Sequence, residues 1–232
     1  MALPGPHVIL FDVNGTLSDP APLAGRFRAV GAPAHLAEAW LSALLRDGIA
    51  ATAAGGYADF LALAHDEART VLSGLPRPPA DLDGAVDHVL AGFAALEPHA
   101  DVPEGVLALH SAGFRLATLS NGPAAVAERL LGRAGLADRF EAMLSVESTR
   151  QWKPAPRAYL DAVEHLGVAP GEALMVAVHP WDVDGARRAG LHAAWLHRDG
   201  AEFPRVLTRP SLVADDLRTL ADRLTEGLTR AG

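Results

Sequence analysis

Residues 8–11, Val-Ile-Leu-Phe, form an unbroken apolar run; Asp12 follows it at once, and Gly15-Thr16 comes three residues later. A short strand with no polar alternation has both faces covered, which is the environment of a parallel sheet between two helical layers. A carboxylate at the carboxyl end of such a strand stands where open α/β sheets place their ligands. The motif then recurs. Apolar segments at 114–119, 142–146, 174–178 and 193–196 read as further strands, with Ser120-Asn121-Gly122 after the first and His179-Pro180-Trp181-Asp182 after the third. Helical spacing falls between them at 106–110, 124–131, 156–166 and 184–189. Strands alternating with helices predict an α/β fold, a Rossmann-like parallel sheet core.

The alternation is interrupted between Pro22 and Leu96. Phe27, Leu36, Trp40, Leu44 and Leu45 fall at helical spacing, as do Tyr57, Phe60, Leu61 and Ala64, then Val86, Val89, Leu90 and Phe93. Gly55-Gly56 and the Pro-rich 75–79 separate them. The prediction is an all-helical insertion of about 75 residues. The expected division is a core domain of residues 1–20 and 97–232 and a helical domain of residues 21–96. A chain of 232 residues suits one core with one insertion. The stretch after Phe203, with Pro204 and Pro210, reads as loops before a last amphipathic helix at 215–228.

Composition narrows the function classes. With 20 Lys+Arg against 28 Asp+Glu the net charge is −8, so there is no basic footprint for nucleic acid or an anionic membrane. The absence of Cys excludes a disulfide, a thiolate metal site and a Cys nucleophile. The first seven residues carry no basic leader region, and the apolar run after them is too short for a membrane span. The expectation is a soluble cytoplasmic protein. His35, His65, His88, His99, His110, His165, His192 and His197 show no metal-ligand spacing.

Four polar sites remain at or just after strand ends: Asp12 with Thr16, Ser120 with Asn121, Lys153, and Asp182. Parallel strands bring their carboxyl ends to one edge, so these residues should meet. In this order, FDVNGT, LSNG, WKPAP and WDVDGA resemble the motifs of the haloacid dehalogenase superfamily, and the helical insertion after the first motif resembles its cap domain. The likeness covers nearly the whole chain and is closest to the type II 2-haloacid dehalogenase branch. It implies a hydrolase in which Asp12 attacks the carbon bearing the leaving group to form an ester. Lys153 would keep Asp12 ionised, and Asp182, with His179, would activate water. Thr16, Asn14, Ser120, Asn121 and Tyr159 would bind substrate. In the first cap helix that branch carries an Arg that grips the substrate carboxylate. Its place falls on Ala32, and among Arg26, Arg28 and Arg46 the last is the first choice.

Two departures bear on the reaction. Superfamily phosphatases have an acid two residues after the nucleophile, and Asn14 has no proton to give a leaving alkoxide. They also use an acidic Mg²⁺ ligand whose place falls on Ala177, which offers no oxygen. The expectation is therefore a dehalogenase needing no cofactor or metal. A phosphatase requiring Mg²⁺ and a catalytically degenerate small-molecule-binding protein are the competing readings. The oligomeric state, a homodimer among the options, stays open.

Overall fold

The computed structural model describes residues 6–198 and 200–229. Residues 1–5, most of the stretch that lacks a basic leader region, lie outside them. Strands β1 (Val8–Phe11), β2 (Arg115–Ser120), β3 (Ala142–Ser145), β4 (Ala173–Ala177), β5 (His192–Leu196) and β6 (Leu212–Ala214) form one parallel sheet. Their order is β3-β2-β1-β4-β5-β6. The predicted α/β architecture with a parallel sheet is thus the one the chain adopts. Strand β6 was not expected. It has three residues with Val213 exposed in the middle, too little for an alternation to show, and it pairs only at the sheet edge.

The order explains where a site can form. The chain winds outward from β1 through β2 to β3, then returns to the other side of β1 and winds outward again through β4, β5 and β6. At that reversal the crossovers diverge and leave a crevice at the carboxyl ends of β1 and β4. Asp12 directly follows β1, and His179 and Asp182 follow β4.

Alternate residues of β1 face opposite layers, as strand geometry requires. Ile9 and Phe11 join a core with Val106, Leu109 and Leu220, from α5 (Val102–Ser111) and α9 (Leu217–Thr229). Val8 and Leu10 join the other, which continues without a break into Phe27, Trp40, Phe60 and Phe93.

Those aromatics belong to α1 (Leu23–Ala29), α2 (Leu36–Ala53), α3 (Phe60–Ser73) and α4 (Leu82–Ala94), all between β1 and α5. Each buries one stripe, such as Phe60, Ala64, Ala68 and Leu72 on α3. Asp59 and Asp81 cap α3 and α4 by accepting from Ala62 N and Gly84 N. The links entering and leaving this insertion run side by side. Glu97 O accepts from Asp19 N at 2.8 Å, and Leu17 O accepts from His99 N at 2.9 Å.

The remaining helices are α6 (Ala124–Arg133), α7 (Pro156–His165) and α8 (Pro180–Arg188). Two helices begin earlier than the sequence pattern suggests. α5 starts at Val102, and α8 at Pro180, where a ring with no N–H costs no helical hydrogen bond. Asp182 consequently sits in the first turn of α8 rather than in a loop before it.

Candidate active site

The crevice holds a chain of short polar contacts. Lys153 Nζ donates to Asp12 Oδ1 at 2.9 Å and to Asp182 Oδ2 at 2.6 Å. Tyr159 OH donates to Asp182 Oδ1 at 2.6 Å. Thr16 Oγ1 donates to Asp12 Oδ2 at 2.6 Å and accepts from Val178 N at 3.1 Å. Lys153, Asp182, Thr16 and Tyr159 are fully buried, and Asp12 nearly so. Lys153 is also the only lysine in the sequence, so composition by itself singles it out.

Electrostatics follow from one ammonium shared by two carboxylates. Burial alone would raise the Asp12 carboxyl, but Lys153, His179 and Thr16 outweigh it and hold it below the usual value. At Asp182 burial and the nearby Asp12 charge prevail over Lys153 and Tyr159, so its carboxyl is raised. Burial pulls the Lys153 ammonium down, yet the two carboxylates more than reverse this. Tyr159 is pushed well up by burial and by Asp182, which keeps it a donor.

Lys153 is held through neighbours that reach both the sheet and the helical insertion. Asn121 Oδ1 accepts from Lys153 N at 2.8 Å, and Asn121 Nδ2 donates to Lys153 O at 3.3 Å. Ser120 Oγ accepts from Gly122 N at 3.0 Å, which fixes the turn after β2. Trp152 reaches into the helical insertion. Its Nε1 donates to Ala58 O at 2.9 Å, Thr52 Oγ1 accepts from its backbone N at 3.1 Å, and its ring stacks on Phe60 at 5.5 Å. Gly48 allows this approach, because a Cβ there would lie 2.3 Å from the indole. The sequence marks Trp152 only as a flank of Lys153, and nothing local announces its distant partners.

His179 closes the open side. Its Nε2 lies 3.0 Å from Asn14 O and 3.7 Å from Asp12 Oδ2, and its ring stacks on Trp181 at 5.0 Å. A carbonyl only accepts, so Nε2 carries the proton. His179 thus presents an N–H beside Asp12. Asn14 lines a small cavity with Ser18, Phe93, Leu96 and Val126, between the core and the insertion.

The expected residues Asp12, Asn14, Thr16, Ser120, Asn121, Lys153, Tyr159, His179 and Asp182 thus come together. Arg46 does not. Its guanidinium pairs with the adjacent Asp47 at 2.6 and 2.8 Å on an exposed face of α2, with its side chain 69% accessible. Spacing from Trp40 could not reveal this, because the neighbouring carboxylate captures the side chain locally.

A sequence model of the family described as haloacid dehalogenase-like hydrolase matches residues 6–190. An (S)-2-haloacid dehalogenase of Pseudomonas sp. (strain YL) is 29% identical over 226 residues, spanning 92% of each chain. The crystal structure of a dehalogenase with an intermediate complex superposes with a TM-score of 0.88 at 28% identity, covering 94% of this chain and 97% of that one. The L-2-haloacid dehalogenase of Xanthobacter autotrophicus, solved with chloropropionic acid covalently bound, gives 0.85 at 27% identity over 96% and 99%.

Proposed function

The chain belongs to the haloacid dehalogenase-like hydrolases, and within that family we propose that it cleaves the carbon–halogen bond of small 2-haloacids through an ester on Asp12. The observation that carries this reading is the buried Asp12 carboxylate held ionised by Lys153, with Asp182 on the other side of the same ammonium. An anionic oxygen in a water-poor crevice is a competent nucleophile. Asp12 attacks the carbon bearing the halogen, the carbon–halogen bond breaks, and halide leaves with the bonding pair. No proton is needed at the leaving group, which suits Asn14 in place of an acid. Water then attacks the Asp12 carboxyl carbon and releases the 2-hydroxyacid. Asp182, whose raised carboxyl favours taking a proton, is the base, oriented by Tyr159 and Lys153.

Ser120 and Asn121, buried at the carboxyl end of β2, are assigned to the substrate carboxylate, with Thr16 steadying Asp12. Residues 21–96 act as the cap over the crevice and residues 1–20 and 97–232 as the core. The reaction needs no metal. Asp12 Oδ1 and Asp182 Oδ2 both point at Lys153 Nζ, so an ammonium already fills the space between the carboxylates, and Ala177 at the end of β4 supplies no side-chain oxygen. None of the described helices is long and apolar enough to cross a membrane.

The test is a single turnover of 2-chloropropionate in ¹⁸O-water, with halide release followed in EDTA. One solvent oxygen should enter the peptide containing Asp12, and chelation should leave the rate unchanged. Label found in the product but never in that peptide excludes the ester. Phosphate release that depends on added Mg²⁺, without halide release, would put a phosphatase in its place.

A further inference from the structure

The turn after Asp12 is held in an unusual way. Three consecutive carbonyls each face a side-chain nitrogen from a different part of the chain. Asn14 O meets His179 Nε2 at 3.0 Å, Gly15 O meets His99 Nε2 at 3.0 Å, and Thr16 O accepts from Arg198 Nη2 at 3.1 Å. Gly15 has φ +81°, a conformation with little local preference to defend it. Within the turn, Val13 O accepts from Leu17 N and Ser18 N at 3.0 Å, and these three side chains add holds from outside on the carbonyls that follow. Rotation of the Gly15 peptide would carry Thr16 with it, and Thr16 is the residue whose hydroxyl fixes Asp12 Oδ2.

His99 is placed differently from the other two. His179 and Arg198 follow core strands, and Arg198 is anchored by Asp101 at 2.8 and 3.0 Å. His99 lies in the link by which the chain returns from the helical insertion, and its own backbone N donates to Leu17 O. We propose that His99 is a positioning residue that couples the seating of the insertion to the aim of Asp12. This rests on the reading of Asp12 as nucleophile.

The ring proton is on Nε2, because Gly15 O can only accept. Burial and the Arg198 charge lower the His99 pKa against Asp19, Asp101 and the Gly15 hydrogen bond, which favours the neutral ring. The neutral Nε2–H tautomer and the cation both donate, so the hold survives a change of pH.

Two variants separate positioning from bulk packing. His99→Phe keeps a ring but loses the donor, and His99→Gln restores a side-chain N–H. With 2-chloropropionate, His99→Phe should lower kcat about tenfold, the cost of a slightly misaimed group. KM should stay within about twofold, because substrate binding is not touched. Amide exchange in the peptide spanning residues 12–18 should rise about fivefold while α9 is unchanged, since opening would be local. His99→Gln should recover most of both. The proposal is overturned if His99→Phe matches wild type in exchange at 12–18, if exchange rises equally over the whole chain, or if His99→Gln rescues neither. Should the wild type release no halide, the dehalogenase reading falls, and the exchange comparison still decides whether His99 holds the turn.

Discussion

Replacing Lys153 by Met removes the charge and nearly preserves the shape, so its effect isolates the shared ammonium. Lys153 Nζ sits 2.9 and 2.6 Å from two buried carboxylates. Breaking a buried ion pair by deleting one partner costs about 3–5 kcal/mol, because the surviving charge stays desolvated. Two charges survive here, and they face each other. The protein can relieve them by taking up a proton, which fixes the sign of the pH dependence. In the wild type the Asp12 carboxyl lies below its ordinary 3.8, so its contribution is present above that value and lost as pH falls through the folded pKa. Without Lys153 the carboxyls must lie above 3.8, so what they contribute is present at low pH and lost as pH rises through the raised value. Urea unfolding of both proteins at about pH 8, 7, 6 and 5 measures this. The deficit of Lys153→Met should be largest at the alkaline end and shrink steadily toward the acid end. A deficit under about 1 kcal/mol near neutrality, the scale of an exposed pair, would refute the reasoning, as would one independent of pH.

Three further outcomes are expected. Gly48→Ala places a methyl against the Trp152 indole and should destabilise by about 1–3 kcal/mol, read as a lower urea midpoint, with slower halide release because Lys153 adjoins Trp152. Arg46→Ala should leave the kcat and KM of halide release unchanged within about twofold, since its guanidinium is engaged by Asp47 on the surface. The acid limb of the kcat profile should fall above 3.8, because the base Asp182 has a raised carboxyl and must be ionised, and Tyr159→Phe should move that limb higher still by removing a donor to the charged form.

The sheet was legible in the sequence, β6 apart, because buried parallel strands leave continuous apolar runs, and a site residue directly follows or closes two of them, Asp12 after β1 and Ser120 in β2. Asp12, Ser120 and Asp182 could be placed on that basis, and the order of motifs brought in Lys153. What stayed hidden depends on partners far along the chain. Gly48 is an ordinary helix glycine until Trp152, more than a hundred residues later, is laid against it. His99 reads as one of several scattered histidines until its ring reaches Gly15 O. The error over Arg46 has the opposite origin. A loose match of position outweighed Asp47, the very next residue.

The solitary Lys153 has a practical consequence. All other side-chain cations at neutral pH are guanidinium groups or histidines, so an amine-selective acylating reagent finds one side-chain target in the chain, and that target is shut inside the crevice. Labelling at Lys153 can therefore proceed only when the helical insertion lifts or the turn around Asp12 loosens. The protein carries its own clock for opening: the rate at which a single mass increment appears on the peptide containing Lys153. Substrate or product held in the crevice should slow that clock in proportion to occupancy. Lysine-directed crosslinkers and surface attachment will, for the same reason, take no hold on the outer side chains of this enzyme.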